Sequence, residues 1–210
     1  MPHLTTLLAF AAVALTLVLT PGPNMAYLVS RAIAQGRTAG MISLIGVGAG
    51  FLVYMLLAAF GITALLLAIP FAYDGLRLAG AAYLAWMAWN ALRPGGASPF
   101  EVKALRRDAP LRLFGMGLLT NLLNPKIAAL YLALLPQFVD KSAGNILSQT
   151  LIFGTVQIAI SLTVNAIFIM TAGTISAFLT RRPLWTKIQR WIMGTVLGLL
   201  AVRLATDASR

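Results

Sequence analysis

Leu4 to Ser30 reads LTTLLAFAAVALTLVLTPGPNMAYLVS, an apolar run without a charged side chain that contains the break Thr20-Pro21-Gly22-Pro23-Asn24. A membrane-spanning helix needs only about 20 apolar residues, so this run is long enough to cross a bilayer. The two prolines lack backbone donors and the glycine between them lacks a side chain, so the helical hydrogen-bond ladder must be interrupted. In hydrocarbon, the freed backbone groups need protein or a watery cavity as partners. Thr20 and Asn24 flank the break and can supply those partners or face a polar substrate.

The composition of the whole chain extends this interpretation to a membrane protein. The 210 residues are 60% hydrophobic and 10% charged, whereas soluble domains are about 45–50% apolar and about 25% charged. Two further charge-free runs separate Arg37 from Asp74 and Lys141 from Arg181. We therefore predict an all-α protein embedded in the lipid bilayer.

The sequence contains six apolar segments, and their lengths follow the order long, very long and short twice over. They cover residues 4–30, 39–69, 76–92, 113–139, 145–179 and 184–204. This pattern predicts six transmembrane helices in two three-helix repeats, residues 1–92 and 113–210, joined by a basic cytoplasmic linker, residues 93–112. Two three-span repeats enter the membrane in opposite orientations, as in many secondary transporters.

A second break, Asn124-Pro125-Lys126, interrupts the fourth segment as the first break interrupts the first segment. Paired interruptions at corresponding positions of two repeats indicate a transporter's substrate site. The alternative is a pair of proline kinks that only shape helix packing, because neighbouring helices readily satisfy the freed groups.

Lys126 is the only charge well inside an apolar segment, and burying it at the bilayer centre costs at least about 2.5 kcal/mol. It either snorkels to an interface or donates to carbonyls at the Pro125 break. Alternatively it binds a carboxylate ligand or loses its proton. The residues leave both interpretations open.

Other polar and small residues have simpler interpretations. Gly46 and Gly50 predict a helix face for close packing, since Phe51 replaces the last glycine of a nucleotide fingerprint. Gln157 and Ser161 share a face of the fifth segment, where they either bridge helices or line a permeation path.

Charge placement predicts the orientation and excludes several functions. The loops after the first, third and fifth segments carry 11 Lys and Arg and the opposite side four, so both termini are predicted to face outward. Basic residues in short loops do not form a nucleic-acid surface. The chain has no cysteine and one histidine, His3, so no catalytic triad, metal cluster or cofactor site is expected, and an enzyme is disfavoured.

The chain resembles the lysine exporter and homoserine/threonine exporter (LysE/RhtB) family of bacterial inner-membrane proteins. The resemblance covers nearly the whole sequence. Its most specific parts are Thr20-Pro21-Gly22-Pro23, Phe60-Gly61-Ile62, Gly80 with Tyr83-Leu84, Asn121-Leu122-Leu123-Asn124-Pro125-Lys126 and Pro136-Gln137-Phe138.

The resemblance implies a six-helix exporter of amino acids or close derivatives, energised by the proton gradient. It also implies a role in translocation for both breaks, and we include Thr20, Asn24, Asn121 and Asn124 among the substrate-binding candidates. Some relatives carry an acid in the second helix where this chain has Phe51, so proton coupling through that helix is not expected here. Two alternatives stay open: an exporter of another small solute or cation, and a non-transporting assembly subunit. Homo-oligomers are also left open.

Overall fold

A computed structural model describes residues 2–20, 22–68 and 107–181, together with scattered helical positions between 78 and 93 and between 191 and 206. All regular structure in these residues is helical, which confirms the predicted class. Pro21, most of the linker 93–112, and most of the third and sixth segments lie outside the described residues.

Two bent helix pairs and two long helices form the described fold. Helix α1 (Leu4–Leu19) is followed by α2 (Pro23–Gln35), and the pair bends by 53°. Helix α4 (Pro110–Leu122) is followed by α5 (Pro125–Ala129), which continues as a π-helix (Leu130–Leu134) and a 3-10 helix (Leu135–Phe138) and also bends by 53°. The long helices are α3 (Arg37–Ala68) and α6 (Ile146–Arg181).

The helix bounds differ from the predicted segments at several ends. Helix α2 continues five residues beyond Ser30, and α4 begins at Pro110, inside the predicted linker. Pro23, Pro110 and Pro125 each lie in the first turn of a helix. A proline there sacrifices no intrahelical hydrogen bond, so these residues start helices.

Length and composition allow two to four membrane spans among the described residues. Arg37–Gly61 and Ile146–Ala172 each qualify alone, and each bent pair qualifies when it is counted as one span. Large apolar side chains on the outer surface are exposed, including Leu8, Ile45, Leu57 and Ile167. In a bilayer these side chains face lipid instead of water.

The core lies between the bent pairs and the long helices. Helix α3 packs along α4 and α6, α2 packs on α3 and α6, and α1 packs on α6. At one end, Phe10 contacts Phe138 and Phe153 with ring centroids 5.1 Å and 5.0 Å apart. This packing brings the two bends next to each other inside the bundle.

Candidate functional site

The predicted site residues that the structure describes meet where the two bends approach each other. Thr20, Asn24, Asn121, Asn124 and Lys126 are all at least nine-tenths buried. They come from positions about 100 residues apart in the chain, and only the packing of the two bent pairs joins them.

The Lys126 ammonium lies against the carbonyl end of α1. Its Nζ donates to Leu17 O at 2.9 Å and to Thr20 O at 2.7 Å. A helix C-terminus carries partial negative charge and favours a cation. The acceptors lie at the first break, because tertiary packing brings Lys126 to the opposite half of the chain. Carbonyls at the Pro125 break were one of the alternatives that the sequence left open.

Gly22 lets Lys126 approach the first break closely. A Cβ atom at Gly22 would lie 3.1 Å from Lys126 Nζ and 3.4 Å from its Cε. The contact with Nζ is tighter than most Cβ contacts in proteins, and the contact with Cε is at the short end of the ordinary range. A side chain at this position would therefore compete for space with the ammonium group.

Each break is supported by a residue from the other half of the chain. Lys126, from the second break, satisfies carbonyls of the first. Tyr54, from α3, donates to Leu122 O at 2.8 Å, the carbonyl at the end of α4. Backbone groups freed inside a membrane need such partners, and here the partners also join the two halves.

The asparagines keep unused hydrogen-bonding groups in the interior. Asn124 caps α5 by accepting from Lys126 N at 3.0 Å, but its Nδ2 has no partner among the described residues. Asn24 Oδ1 and both polar side-chain atoms of Asn121 are likewise buried and unpaired there. Leaving a buried polar group unsatisfied costs about 1–3 kcal/mol, so these groups are candidates for contact with a ligand or water.

A small cavity lies beside Lys126. Its polar lining is Asn24, Lys126, Gln157, Ser161 and Asn165, and its apolar lining includes Ala14, Leu17, Val18, Met25, Phe51 and Leu130. About 20 Å³ is open to the centre of a water molecule. That is room for about one water, so this conformation is closed to a molecule of amino-acid size.

A hydrogen-bonded relay runs from the π-helical segment after α5 to α6, and its two α6 residues, Gln157 and Ser161, line this cavity. Tyr131 O–H donates to Gln157 Oε1 at 2.6 Å, and Gln157 Nε2 donates to Ser161 Oγ at 2.7 Å. Tyr131 lies in the π-helical segment and stacks on Tyr54 with ring centroids 5.8 Å apart. Sequence reasoning missed Tyr54 and Tyr131, although a tyrosine inside an apolar segment signals a buried hydroxyl that needs a partner.

A second polar cluster ties α2 to the start of α4. Asp108 accepts from Arg31 Nη1 at 2.5 Å and from Gln35 Nε2 at 2.8 Å, and its backbone N–H donates to Gln35 Oε1 at 2.8 Å. Arg112 contributes a weaker, exposed contact to Asp108 at 3.3 Å. These contacts hold the end of α2 against the residues that precede α4.

Gly46 and Gly50 lie on the face of α3 that meets α4. A Cβ atom at Gly46 would lie 2.1 Å from Phe114 O, and one at Gly50 would lie 2.7 Å from Asn121 Cβ. Gly117, on α4, is in the same situation toward Ser43 O. The two helices are thus within backbone contact at their crossing.

Comparison with known proteins places this arrangement in a family. The sequence profile described as LysE type translocator matches residues 15–208. The chain belongs to this family. The resemblance to this family predicted from the sequence motifs is thereby confirmed.

Several relatives have names that describe efflux. The chain is 30% identical over 200 residues to a leucine efflux protein of Enterobacter sp. (strain 638), covering 90% of each chain. It is 28% identical over 190 residues to a homoserine/homoserine lactone efflux protein of Salmonella typhimurium, covering 90% of this chain and 91% of the relative. No solved structure matches the chain. The protein is therefore a helical membrane protein of an amino-acid efflux family, which is a family of transporters and not of enzymes.

Proposed function

We propose that this protein exports neutral amino acids from the cytoplasm across the bacterial inner membrane, through a site between its two bent helix pairs. The observation that carries the proposal is Lys126, a buried ammonium that contacts no carboxylate among the described residues and lines a cavity beside unpaired amides. A zwitterionic ligand supplies both a carboxylate for Lys126 and a hydrogen-bond donor for the unpaired amide oxygen. Its carboxylate pairs with Lys126, and its ammonium fits the acceptor Asn24 Oδ1.

The charge of the cavity favours a neutral substrate side chain. Lys126 is the only charged residue among those that line the cavity in the described part of the chain. A cationic substrate side chain would be repelled by Lys126, whereas the apolar wall accommodates an aliphatic side chain. The names of the relatives, which describe leucine and homoserine efflux, agree with this substrate class.

Transport is proposed to follow alternating access between two inverted three-helix repeats, energised by the proton gradient, with both termini outside. The closed cavity of about 20 Å³ supports a conformational step, because an amino acid enters only when the bent pairs separate. The Arg31–Asp108 cluster joins the first repeat to the linker just before α4, at the end assigned to the cytoplasm, so opening toward the cytoplasm has to release it. Rocking of one repeat against the other would do this.

Efflux from proteoliposomes tests the proposal. Vesicles loaded with labelled leucine would be compared for wild type, Lys126→Met and Asn124→Ala, with exposed Lys141→Met as the matched control for removing a lysine charge. We expect both site variants to lose most substrate efflux and the control to retain it. A monodisperse elution profile identifies folded variants, and unchanged efflux in folded Lys126→Met and Asn124→Ala would overturn the assignment. A protonophore should abolish uphill export.

A further inference from the structure

We infer that Ser161 donates a hydrogen bond to the carboxylate of the transported amino acid, and that Tyr131 is a positioning residue that keeps the Ser161 hydroxyl free to do so. The inference rests on the proposed function and identifies a recognition group on α6 for the same site. Its basis is the direction of each hydrogen bond in the relay from Tyr131 through Gln157 to Ser161.

Each hydrogen bond of the relay has a defined donor and acceptor. The Tyr131 O–H donates to Gln157 Oε1, which leaves the amide nitrogen of Gln157 to point toward Ser161. Because a side-chain amide nitrogen only donates, Ser161 Oγ is the acceptor of that bond. The hydroxyl hydrogen of Ser161 therefore remains available.

Nothing in the described part of the chain accepts this hydrogen. Serine and threonine hydroxyls in helices often donate to the carbonyl four residues earlier, as Thr171 does to Ile167 O at 2.6 Å. The described contacts include no such bond from Ser161, although its side chain is buried. Buried donors in native proteins have acceptors, so the missing acceptor is assigned to the ligand.

The cavity brings this donor to the same space as Lys126. Ser161 and Lys126 both line it, and Lys126 uses two of its three N–H donors on Leu17 O and Thr20 O. One donor from each residue then matches the two oxygens of a carboxylate. Asn24 also lines the cavity, and its Oδ1, which has no partner among the described residues, is the acceptor for the ammonium group.

Packing holds Tyr131 in place. Its side chain is fully buried, and its ring stacks on Tyr54 at an interplanar angle of 18°. Tyr131→Phe keeps the ring and removes only the hydroxyl. The Gln157 amide can then rotate so that Oε1 accepts from Ser161, which would withdraw the hydrogen from the substrate.

Concentration-dependent transport in proteoliposomes tests the inference, with leucine as substrate and 3-methylbutylamine, which is leucine without its carboxylate, as competing ligand. We expect Ser161→Ala to raise the KM for leucine about tenfold, the loss expected for one hydrogen bond to a charged group. The maximal rate and the inhibition by 3-methylbutylamine should stay near wild type. Ser161→Thr, which keeps a hydroxyl, should restore the KM, and Tyr131→Phe should raise it severalfold.

The matched control is Thr171→Val, which removes a hydroxyl from the same helix and should leave the KM unchanged. An unchanged KM in Ser161→Ala would overturn the inference, as would equal weakening of leucine and 3-methylbutylamine. If Ser161→Ala does not purify as a folded protein, Tyr131→Phe decides by the same criterion. A wild-type protein that transports no amino acid overturns the proposed function itself, whereas wild-type transport with unaffected variants overturns only this inference.

Discussion

Replacing Gly46 by alanine should destabilise the protein by forcing α3 away from α4. The new Cβ atom would lie 2.1 Å from Phe114 O, 2.9 Å from the adjoining carbonyl carbon and 3.0 Å from Leu118 N. All three atoms belong to the backbone of α4, so no side chain can rotate out of the way. Ordinary contact begins at 3.4 Å, and the helices must therefore separate locally by about 1.3 Å.

The cost follows from that separation. A radial gap of about 0.5–1 Å already loses a quarter to a half of the dispersion energy of each atom pair it opens. Forced overpacking of a close contact typically costs about 1–3 kcal/mol in the free energy of unfolding. Because backbone atoms lie on both sides of this contact, we expect Gly46→Ala to cost about 3 kcal/mol, the upper end of that range. For a chain of this length, about 2–4 °C per kcal/mol predicts a Tm lower by roughly 6–12 °C.

Thermal unfolding in detergent micelles measures this difference. The chain offers matched controls on the same helices, because a Cβ atom at Gly48 meets only the flexible Leu162 side chain at 3.3 Å and one at Gly115 meets nothing within 4 Å. Gly48→Ala and Gly115→Ala should leave the Tm unchanged or raise it slightly, since alanine favours helix by up to about 1 kcal/mol over glycine. Equal Tm values for Gly46→Ala and Gly48→Ala would refute the close crossing.

Two further predictions concern polar contacts at the ends of the helices. Asp108→Asn should cost about 2–4 kcal/mol in the free energy of unfolding, because it leaves the guanidinium of Arg31, only 15% exposed, without its counter-charge. Arg112→Gln, at a side chain that is 71% exposed, should cost less than about 1 kcal/mol. Equal losses of unfolding free energy for Asp108→Asn and Arg112→Gln in denaturant titrations would contradict a buried Arg31–Asp108 pair. The hydrogen bonds from the Ser142 hydroxyl and backbone N–H, and from Ala143 N, lower the pKa of the Asp140 carboxyl. These hydrogen bonds should therefore stabilise the loop from Asp140 to Ala143 fully at pH values above about 4, the ordinary pKa of an aspartate. The stabilisation should be lost as the pH falls through the lowered pKa of Asp140. Exchange rates of the Ser142 and Ala143 amides, corrected for intrinsic pH dependence, should show this loss in wild type and not in Asp140→Asn.

The two breaks could be located from the sequence because their cause is local. Proline fixes its own φ and removes its own donor, whatever surrounds it. Helices accordingly end at Leu19 and Leu122 and begin again at Pro23 and Pro125. The all-α fold class could also be predicted from the sequence, since it depends on long apolar runs.

The partners of Lys126 could not be predicted in the same way. Its spacing showed that a charge is buried, but Leu17 O and Thr20 O lie more than 100 residues away in the chain. Tyr131 was missed for a related reason. Its hydroxyl donates a hydrogen bond to Gln157, 26 residues away on another helix, and no local sequence pattern predicts that contact.

The helical class, the membrane location and the two interrupted helices follow from the amino-acid sequence alone, because hydrophobicity and proline geometry act on each segment separately. The tertiary structure decided which groups share the interior. It brought Lys126 to the carbonyl end of α1, set α3 against α4 at Gly46, and directed the relay from Tyr131 toward Ser161. Those relations depend on distances of a few ångströms between helices, and such distances are fixed only when all the helices pack together.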